Sequence, residues 1–321
     1  MRADAGDRPC LVAVLRSLDE RYVAAIEAVD PRVRVVRVSD RTSWLREAPD
    51  AEVIFGFRPL RDGALQARRL RWVHAAGAGV ENLSQDVAGT DVVVTNSHIH
   101  GDVIAEHVFA MILAHTRRLR AAFAYQHERR WGHRDLAGAV IAGRTMGILG
   151  LGTIGRAIAR RAQAFGLRVW GTRRTAGEVP GVERVLGPEG LDEVLRVADV
   201  LVVTLPLTPA TRGLIGAREL ALLPAGAFVV NVGRGGLIDE AALVDALRAG
   251  HLAGAGLDVF EEEPLPETSP LWTLPEVILT PHVAGNFPGY MDRVVPLFCA
   301  NLRRYLAGEP LASVVDTARG Y

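Results

Sequence analysis

The sequence contains no lysine: all 37 of its basic residues are arginine. That absence excludes every mechanism that needs a lysine amine, including Schiff bases, the P-loop lysine and the lysine acids and bases of many amino-acid dehydrogenases. Cysteine is almost as scarce. Cys10 and Cys299 stand far apart with no CxxC pair and no histidine-rich neighbourhood. Neither a zinc cluster nor a disulfide framework can be built from them, and no metal site is expected. An excess of charge of either sign is also lacking, since 37 Lys+Arg balance 37 Asp+Glu. A neutral chain gives no electrostatic reason to expect nucleic acid or an anionic membrane as a partner. No apolar stretch approaches the length that spans a bilayer. The N-terminus, MRADAGDRPCLVAVLRSLDE, has only a short apolar run before charges return, too little for a signal-peptide core. A reducing cytoplasm is therefore the expected compartment.

What is present is ordinary globular material, 49% hydrophobic and 23% charged, and 321 residues suggest two domains. The first hundred residues alternate short apolar runs (Leu11–Leu15, Val33–Val38, Glu52–Phe55, Arg71–His74, Val92–Thr95) with amphipathic segments such as Leu18–Val29. This alternation predicts βαβ units and a parallel sheet. From Gly101 to Leu119 runs a long helical pattern with apolar residues on nearly every face, which predicts a buried helix. A second series of strands follows: Thr145–Leu149, Arg168–Trp170, Val200–Leu205, Phe228–Val232, Gly256–Val259 and Val277–Leu279, most of them separated by helices. It predicts a second, larger doubly wound α/β unit. The tail from Gly289 to Gly308 is again helical and is expected to pack back on the first domain.

Residues 150–155 read Gly-Leu-Gly-Thr-Ile-Gly, directly after the apolar run Thr145–Leu149 and at the start of a helix, Arg156–Phe165. Glycine-rich turns are common, but strand–turn–helix context gives this one a physical reading. Gly150 turns sharply, Gly152 lets a pyrophosphate approach the backbone, and Gly155 allows helix and strand to pack closely. Three glycines at this spacing cost stability unless close approach is needed. A site for NAD would place Asp or Glu about 20 residues further on, at the end of the next strand. Here LRVWGT runs into Arg173 and Arg174, and no acid appears until Glu178. Arginine forks match a 2′-phosphate, so NADP(H) is expected ahead of NAD(H).

Ligands of open α/β sheets bind outside the carboxyl ends of the strands. Three such ends carry notable side chains: Phe228–Val232 leads to Arg234, Gly256–Val259 to Glu261, Glu262 and Glu263, and Val277–Leu279 to His282. Singly these are a turn cap, a solvated loop and a buried histidine. Jointly they supply what reduction of a 2-oxo acid needs: a cation for a carboxylate, an imidazolium to protonate the carbonyl oxygen, and an acid to hold the imidazole. His74, His107 and His115 lack such placement and are read as structural.

In order, GLGTIG, NVGRGGLIDEAAL, GLDVFEEEPLP and LTPHVAG resemble the D-isomer-specific 2-hydroxyacid dehydrogenases over the whole chain. The resemblance implies two doubly wound α/β domains: a Rossmann dinucleotide-binding domain (residues 99–284) inserted in a flavodoxin-like substrate domain (residues 1–98 and 285–321). It implies that Arg234 binds the substrate carboxylate, that His282 is the catalytic acid and that Glu263 is its partner, with Glu262 the nearest competitor. It also implies cofactor contacts from Gly150, Gly152, Thr153, Ile154, Gly155, Leu205, Pro206 and Val232, with Asp258 at the nicotinamide carboxamide. The stretch His74-Ala-Ala-Gly-Ala-Gly-Val-Glu-Asn is similar to the family's carboxylate-binding loop, with Ala78 and Gly79 as backbone donors. The segment Val103–Arg118 is similar to its dimerisation helix, so a homodimer is expected. Trp44, Phe57 and Arg58 are candidates for the lining that selects the substrate. The Arg173–Arg174 pair resembles glyoxylate and hydroxypyruvate reductases that use NADPH.

The leading expectation is therefore an NADPH-dependent reductase of small 2-oxo acids. Alternatives are a D-2-hydroxyacid dehydrogenase for bulkier acids and, from another class, a cofactor-sensing protein like the corepressors that resemble this family. Formate dehydrogenases replace the acid partner with glutamine, so Glu263 argues against one; phosphite oxidation stays open.

Overall fold

The chain's elements run β1 (Cys10–Leu15), α1 (Glu20–Glu27), β2 (Val33–Val38), α2 (Arg41–Glu47), β3 (Val53–Gly56), β4 (Trp72–Ala75), α3 (Glu81–Asp86), β5 (Val93–Asn96), α4 (Gly101–Thr116), α5 (Leu119–His127), β6 (Thr145–Leu149), α6 (Thr153–Ala164), β7 (Arg168–Thr172), β8 (Arg184–Leu186), α7 (Leu191–Val197), β9 (Val200–Val203), α8 (Ala217–Leu222), β10 (Ala227–Asn231), α9 (Glu240–Arg248), β11 (Leu252–Leu257), β12 (Val277–Leu279) and α10 (Tyr290–Ala307). They are seen in a computed structural model that describes residues 8–15, 17–56, 67–175 and 177–319. Phe57 and Arg58 lie outside the described residues; Trp44 falls in α2. The chain divides into two compact units, Met1–Ile99 with Phe287–Tyr321, and His100–Asn286.

In the first unit a parallel sheet has the order β2-β1-β3-β4-β5. This is the flavodoxin-like arrangement, and each face of the sheet is covered, as parallel strands require. Alternation along β1 shows how the sequence achieves it. Val12 and Val14 face a cluster with Ile26 of α1 and Val294, Phe298 and Leu302 of α10, while Ala13 joins Ile54, Val73 and Val94 on the opposite side. Phe298 stacks on Phe55 and Trp72 at centroid distances of 4.5 and 5.1 Å, so the C-terminal helix is part of this core.

In the second unit seven parallel strands run β12-β11-β10-β9-β6-β7-β8. The order reverses between β6 and β9, the switch point of a Rossmann sheet, where such folds bind ligands. Met146, Ile148, Val200, Val202 and Val230 pack under α4 and α6; Leu149, Leu201, Val203 and Val229 pack under α7, α8 and α9.

Helix α4 and strand β11 depart from the pattern read in the sequence. The helix expected over Gly101–Leu119 stops at Thr116, where Arg118 takes the left-handed backbone (φ 57°), and α5 begins at Leu119 with no buried residue. Nor is α4 covered on every side: Asp102 and Glu106 are exposed and pair with Arg160 and Arg161. Strand β11 starts four residues earlier than its apolar signal, because Gly254 and Gly256 interrupt the run. Those glycines admit α4: a Cβ on Gly256 would lie 2.8 Å from the Met111 sulfur. Among the described residues, no helix is long and apolar enough to cross a membrane.

Candidate active site

Strand β6 is buried throughout and delivers the chain to the glycine turn. Each glycine there answers a separate demand. Gly150 has φ 102°, a conformation that side chains avoid, and a Cβ on it would press within 3.1 Å of the Thr204 backbone. A Cβ on Gly155 would lie 2.1 Å from the Gly150 carbonyl oxygen, so α6 can start this close to the turn only with glycine. At Gly152, the N-cap of α6, a Cβ would meet nothing within 4 Å. Its bareness serves no packing inside the chain and leaves an open cradle at a helix N-terminus, which suits a pyrophosphate. Thr153 and Ile154 form the first turn of α6.

The turn is tied to both neighbouring strands. The Gly150 and Leu151 N–H groups donate to the Thr172 carbonyl at 3.1 and 2.9 Å. The Thr204 hydroxyl reaches the Gly150 carbonyl at 2.7 Å. Arg173 and Arg174, the first half-buried and the second exposed, therefore follow directly on the residue that fastens the turn. Leu205 and Pro206 follow Thr204 on the other side and are half-buried.

After β10 the chain forms a tight loop that presents Arg234. Buried Asn231 straps it: its Nδ2 donates to the Arg234 carbonyl at 2.9 Å and its Oδ1 accepts from the Gly233 N–H at 3.0 Å. Val232 is buried, and the Arg234 guanidinium donates to the Gly233 carbonyl at 2.7 Å. The loop lies on the segment that follows β11, since a Cβ on Gly235 would fall 1.8 Å from the Phe260 carbonyl carbon. Gly235→Ala is expected to destabilise the protein by about 2–4 kcal/mol through forced backbone movement. Chemical denaturation measures this; a variant as stable as the wild type would contradict the packing described.

Glu263 comes from that segment and His282 from the turn after β12. His282 Nδ1 lies 2.8 Å from Glu263 Oε2, while Glu263 Oε1 accepts from the Phe260 N–H at 3.0 Å. A carboxylate can only accept, so Nδ1 carries the proton and Nε2 is the nitrogen left for other chemistry. Glu262 is exposed, and Glu261 instead exchanges reciprocal hydrogen bonds with Glu240 at the start of α9. His282 is half exposed and has φ 53°, a costly conformation for a side-chain-bearing residue.

Asp258 is what over-determines that turn. Its Oδ1 accepts from the Thr280 hydroxyl (2.6 Å) and the Val283 N–H (2.9 Å), and its Oδ2 from the Ala284 N–H (2.9 Å). Its own carbonyl accepts from the His282 N–H at 2.8 Å. Beside the nicotinamide contact that the resemblance implies for it, Asp258 uses both of its carboxylate oxygens to hold the His282 turn. His107 reaches the same group, Nε2 lying 3.0 Å from the Thr280 hydroxyl. Sequence reasoning missed Asn231, Thr204 and Thr280. Only Asn231, directly before the Val-Gly-Arg-Gly run, carried a local cue, as an Asn able to bridge its own turn.

The candidate substrate loop belongs to the first unit. Ala76 is buried, Gly77 and Ala78 are half-buried, and Gly79 is exposed. His74 bonds Thr95 (2.7 Å) and Ser97 (3.1 Å), and burial lowers its pKa to about 4. His115 stacks on Phe228 with centroids 4.2 Å apart.

A family model described as "D-isomer specific 2-hydroxyacid dehydrogenase, NAD binding domain" matches residues 109–284. The chain belongs to the D-isomer specific 2-hydroxyacid dehydrogenase family. Its likeness to a family member from Xanthobacter autotrophicus Py2, solved in complex with NADPH and MES, covers 98% of this chain and 100% of that one, at 36% identity and a TM-score of 0.85. A second solved structure is an NADPH-dependent glyoxylate/hydroxypyruvate reductase from Sinorhizobium meliloti in complex with NADP and sulfate. It is 32% identical, covers 97% of this chain and 99% of its own, and has a TM-score of 0.85. Among curated family members, D-3-phosphoglycerate dehydrogenase of Mycobacterium tuberculosis is 37% identical over 295 residues, which is 90% of this chain and 55% of that protein. The chain thus spans about half the length of the curated phosphoglycerate dehydrogenases it matches.

Proposed function

We propose that the chain is an NADPH-dependent reductase of small 2-oxo acids such as glyoxylate or hydroxypyruvate. The observation that carries this reading is the 2.8 Å pairing of His282 Nδ1 with Glu263, which leaves Nε2 available at the carboxyl end of a Rossmann sheet. The open cradle at Gly152 fits a dinucleotide, with Gly150, Thr153, Ile154 and Gly155 forming its turn, and we assign Leu205, Pro206 and Val232, just past the ends of β9 and β10, to the same cofactor. Bound NADPH supplies the hydride that reduces the substrate C2. Arg173 and Arg174 take the 2′-phosphate; NAD(H), lacking it, is the weaker cofactor.

The chain's own residues supply the rest. The Arg234 guanidinium pairs with the substrate carboxylate, and the Ala78 and Gly79 N–H groups donate to it. His282, as imidazolium, gives its Nε2 proton to the carbonyl oxygen as C2 is reduced. Glu263 keeps Nδ1 protonated and balances the imidazolium charge. Glu263→Gln is expected to lower kcat about 10²-fold, since an amide offers no charge to that cation. Steady-state kinetics check this, and an unchanged kcat would remove Glu263 from the mechanism.

The phosphoglycerate dehydrogenase relatives favour a second reading, a larger 2-hydroxy acid as substrate. Initial rates of NADPH oxidation with glyoxylate, hydroxypyruvate, phenylpyruvate and 3-phosphohydroxypyruvate separate the two. The proposal expects the highest kcat/KM with one of the first two; preference for either larger acid would overturn it. Exposed Phe123, Trp131 and Val140, following α4, support a homodimer formed through this region. The balanced charge and scarce cysteine support a cytoplasmic location.

A further inference from the structure

The loop after β4 is held by its carbonyl groups. The Tyr290 hydroxyl, at the start of α10, donates to the Ala76 carbonyl at 2.8 Å. The Ser97 N–H donates to the Gly77 carbonyl at 3.2 Å. Asn96 Nδ2, at the end of β5, donates to the Ala78 carbonyl at 2.7 Å. All of these residues lie in the same compact unit. Three consecutive carbonyls thus meet three donors from two separated stretches of chain.

A trans peptide is planar, and its C=O and N–H point in opposite directions. Holding the carbonyls of Ala76, Gly77 and Ala78 on this wall of donors therefore turns the N–H groups of Gly77, Ala78 and Gly79 each away from the donor behind its own peptide. Among the described residues, no acceptor meets those three N–H groups. Exposure rises along the three, from half-buried Gly77 and Ala78 to exposed Gly79. A row of successive amides without internal acceptors suits an anion.

We infer that Tyr290 and Asn96 are positioning residues for this amide row: they set its direction through the carbonyls behind it and do not touch the substrate. The inference rests on the proposed role of the loop as the carboxylate site. The wall is built to hold still. Burial pushes the Tyr290 hydroxyl up to about 12, so it remains a donor across the working pH range. Ser97 is braced by His74, and Trp72 Nε1 donates to the Thr95 hydroxyl at 2.8 Å.

Tyr290→Phe removes one donor and keeps the ring; Asn96→Ala removes the other. The full chain with NADPH is assayed with glyoxylate for turnover and with oxalate for equilibrium binding. In each variant KM for glyoxylate and Kd for oxalate should rise about five- to tenfold, the size of one lost hydrogen bond. The value of kcat should stay within about twofold, because the proton donor is untouched, and NADPH affinity should not change. Unchanged KM and Kd in both variants would overturn the inference. So would a parallel fall in kcat and NADPH affinity, which marks a merely structural role. Failure of oxalate to bind the wild type would overturn it too. If the wild type binds oxalate, the variants bind it more weakly and no 2-oxo acid is turned over, the clamp stands and the proposed function fails.

Discussion

Replacing His282 with alanine is expected to lower kcat by about 10³- to 10⁴-fold while NADPH binds as in the wild type, because general acid catalysis of this kind contributes rate rather than cofactor affinity. The geometry makes the two effects separable. His282, after β12, is fixed by the Asp258 carbonyl and by Glu263, both in the segment that follows β11. The glycine turn follows β6, which is separated from β11 by β9 and β10. Removing the imidazole therefore leaves the dinucleotide turn intact, and alanine, which keeps the Cβ, leaves the backbone cost at φ 53° unchanged. The test is kcat alongside NADPH binding by fluorescence titration. Equal loss of both would mean that His282 maintains the turn's structure and has no separate chemical task.

The double variant Arg173→Ala, Arg174→Ala is expected to weaken NADPH by about 10²-fold and NADH by little, as removal of charge-assisted contacts to a phosphate implies. The Thr172 carbonyl that anchors Gly150 and Leu151 belongs to the backbone and survives both substitutions. Only the 2′-phosphate distinguishes the two nucleotides, so the ratio of their dissociation constants isolates it. Equal weakening of both, or of neither, would remove the arginine pair from cofactor selection.

Much of this arrangement was legible in the sequence, and the reasons are physical. Parallel strands buried on both faces read as short apolar runs, so β1 and β6 stand where those runs lie, and β2, a half-buried edge strand, is marked by the valines between its arginines. Strand–turn–helix context marked GLGTIG as a backbone that something must approach. β8 was not legible: Arg184–Leu186 is an edge strand of three residues with an exposed start, too short for an alternating pattern. The break between α4 and α5 was hidden as well, because left-handed Arg118 sits in a run of residues with no glycine to announce it.

Within the site, the sequence order brought Arg234, the glutamates and His282 to successive strand ends but could not choose among three consecutive glutamates. The choice is made by the turn, which folds Glu263 back so that one oxygen takes the Phe260 N–H and the other faces His282. Glu261 is drawn off by Glu240, 21 positions away, a pairing that no local pattern signals. That Asp258 also fixes the His282 turn was not legible, because its partners Val283 and Ala284 lie 25 and 26 positions along the chain. Positioning of this sort depends on where two loops meet, and spacing alone does not reveal it.

The most direct test of the account is to add hydroxypyruvate to the wild-type protein with NADPH, follow nucleotide consumption, and resolve the glycerate formed by chirality. The account predicts one NADPH consumed for each D-glycerate produced. NADPH that binds but is not consumed would contradict it and leave a cofactor-sensing protein in its place, and production of the L-isomer would contradict the D-specificity expected of the family.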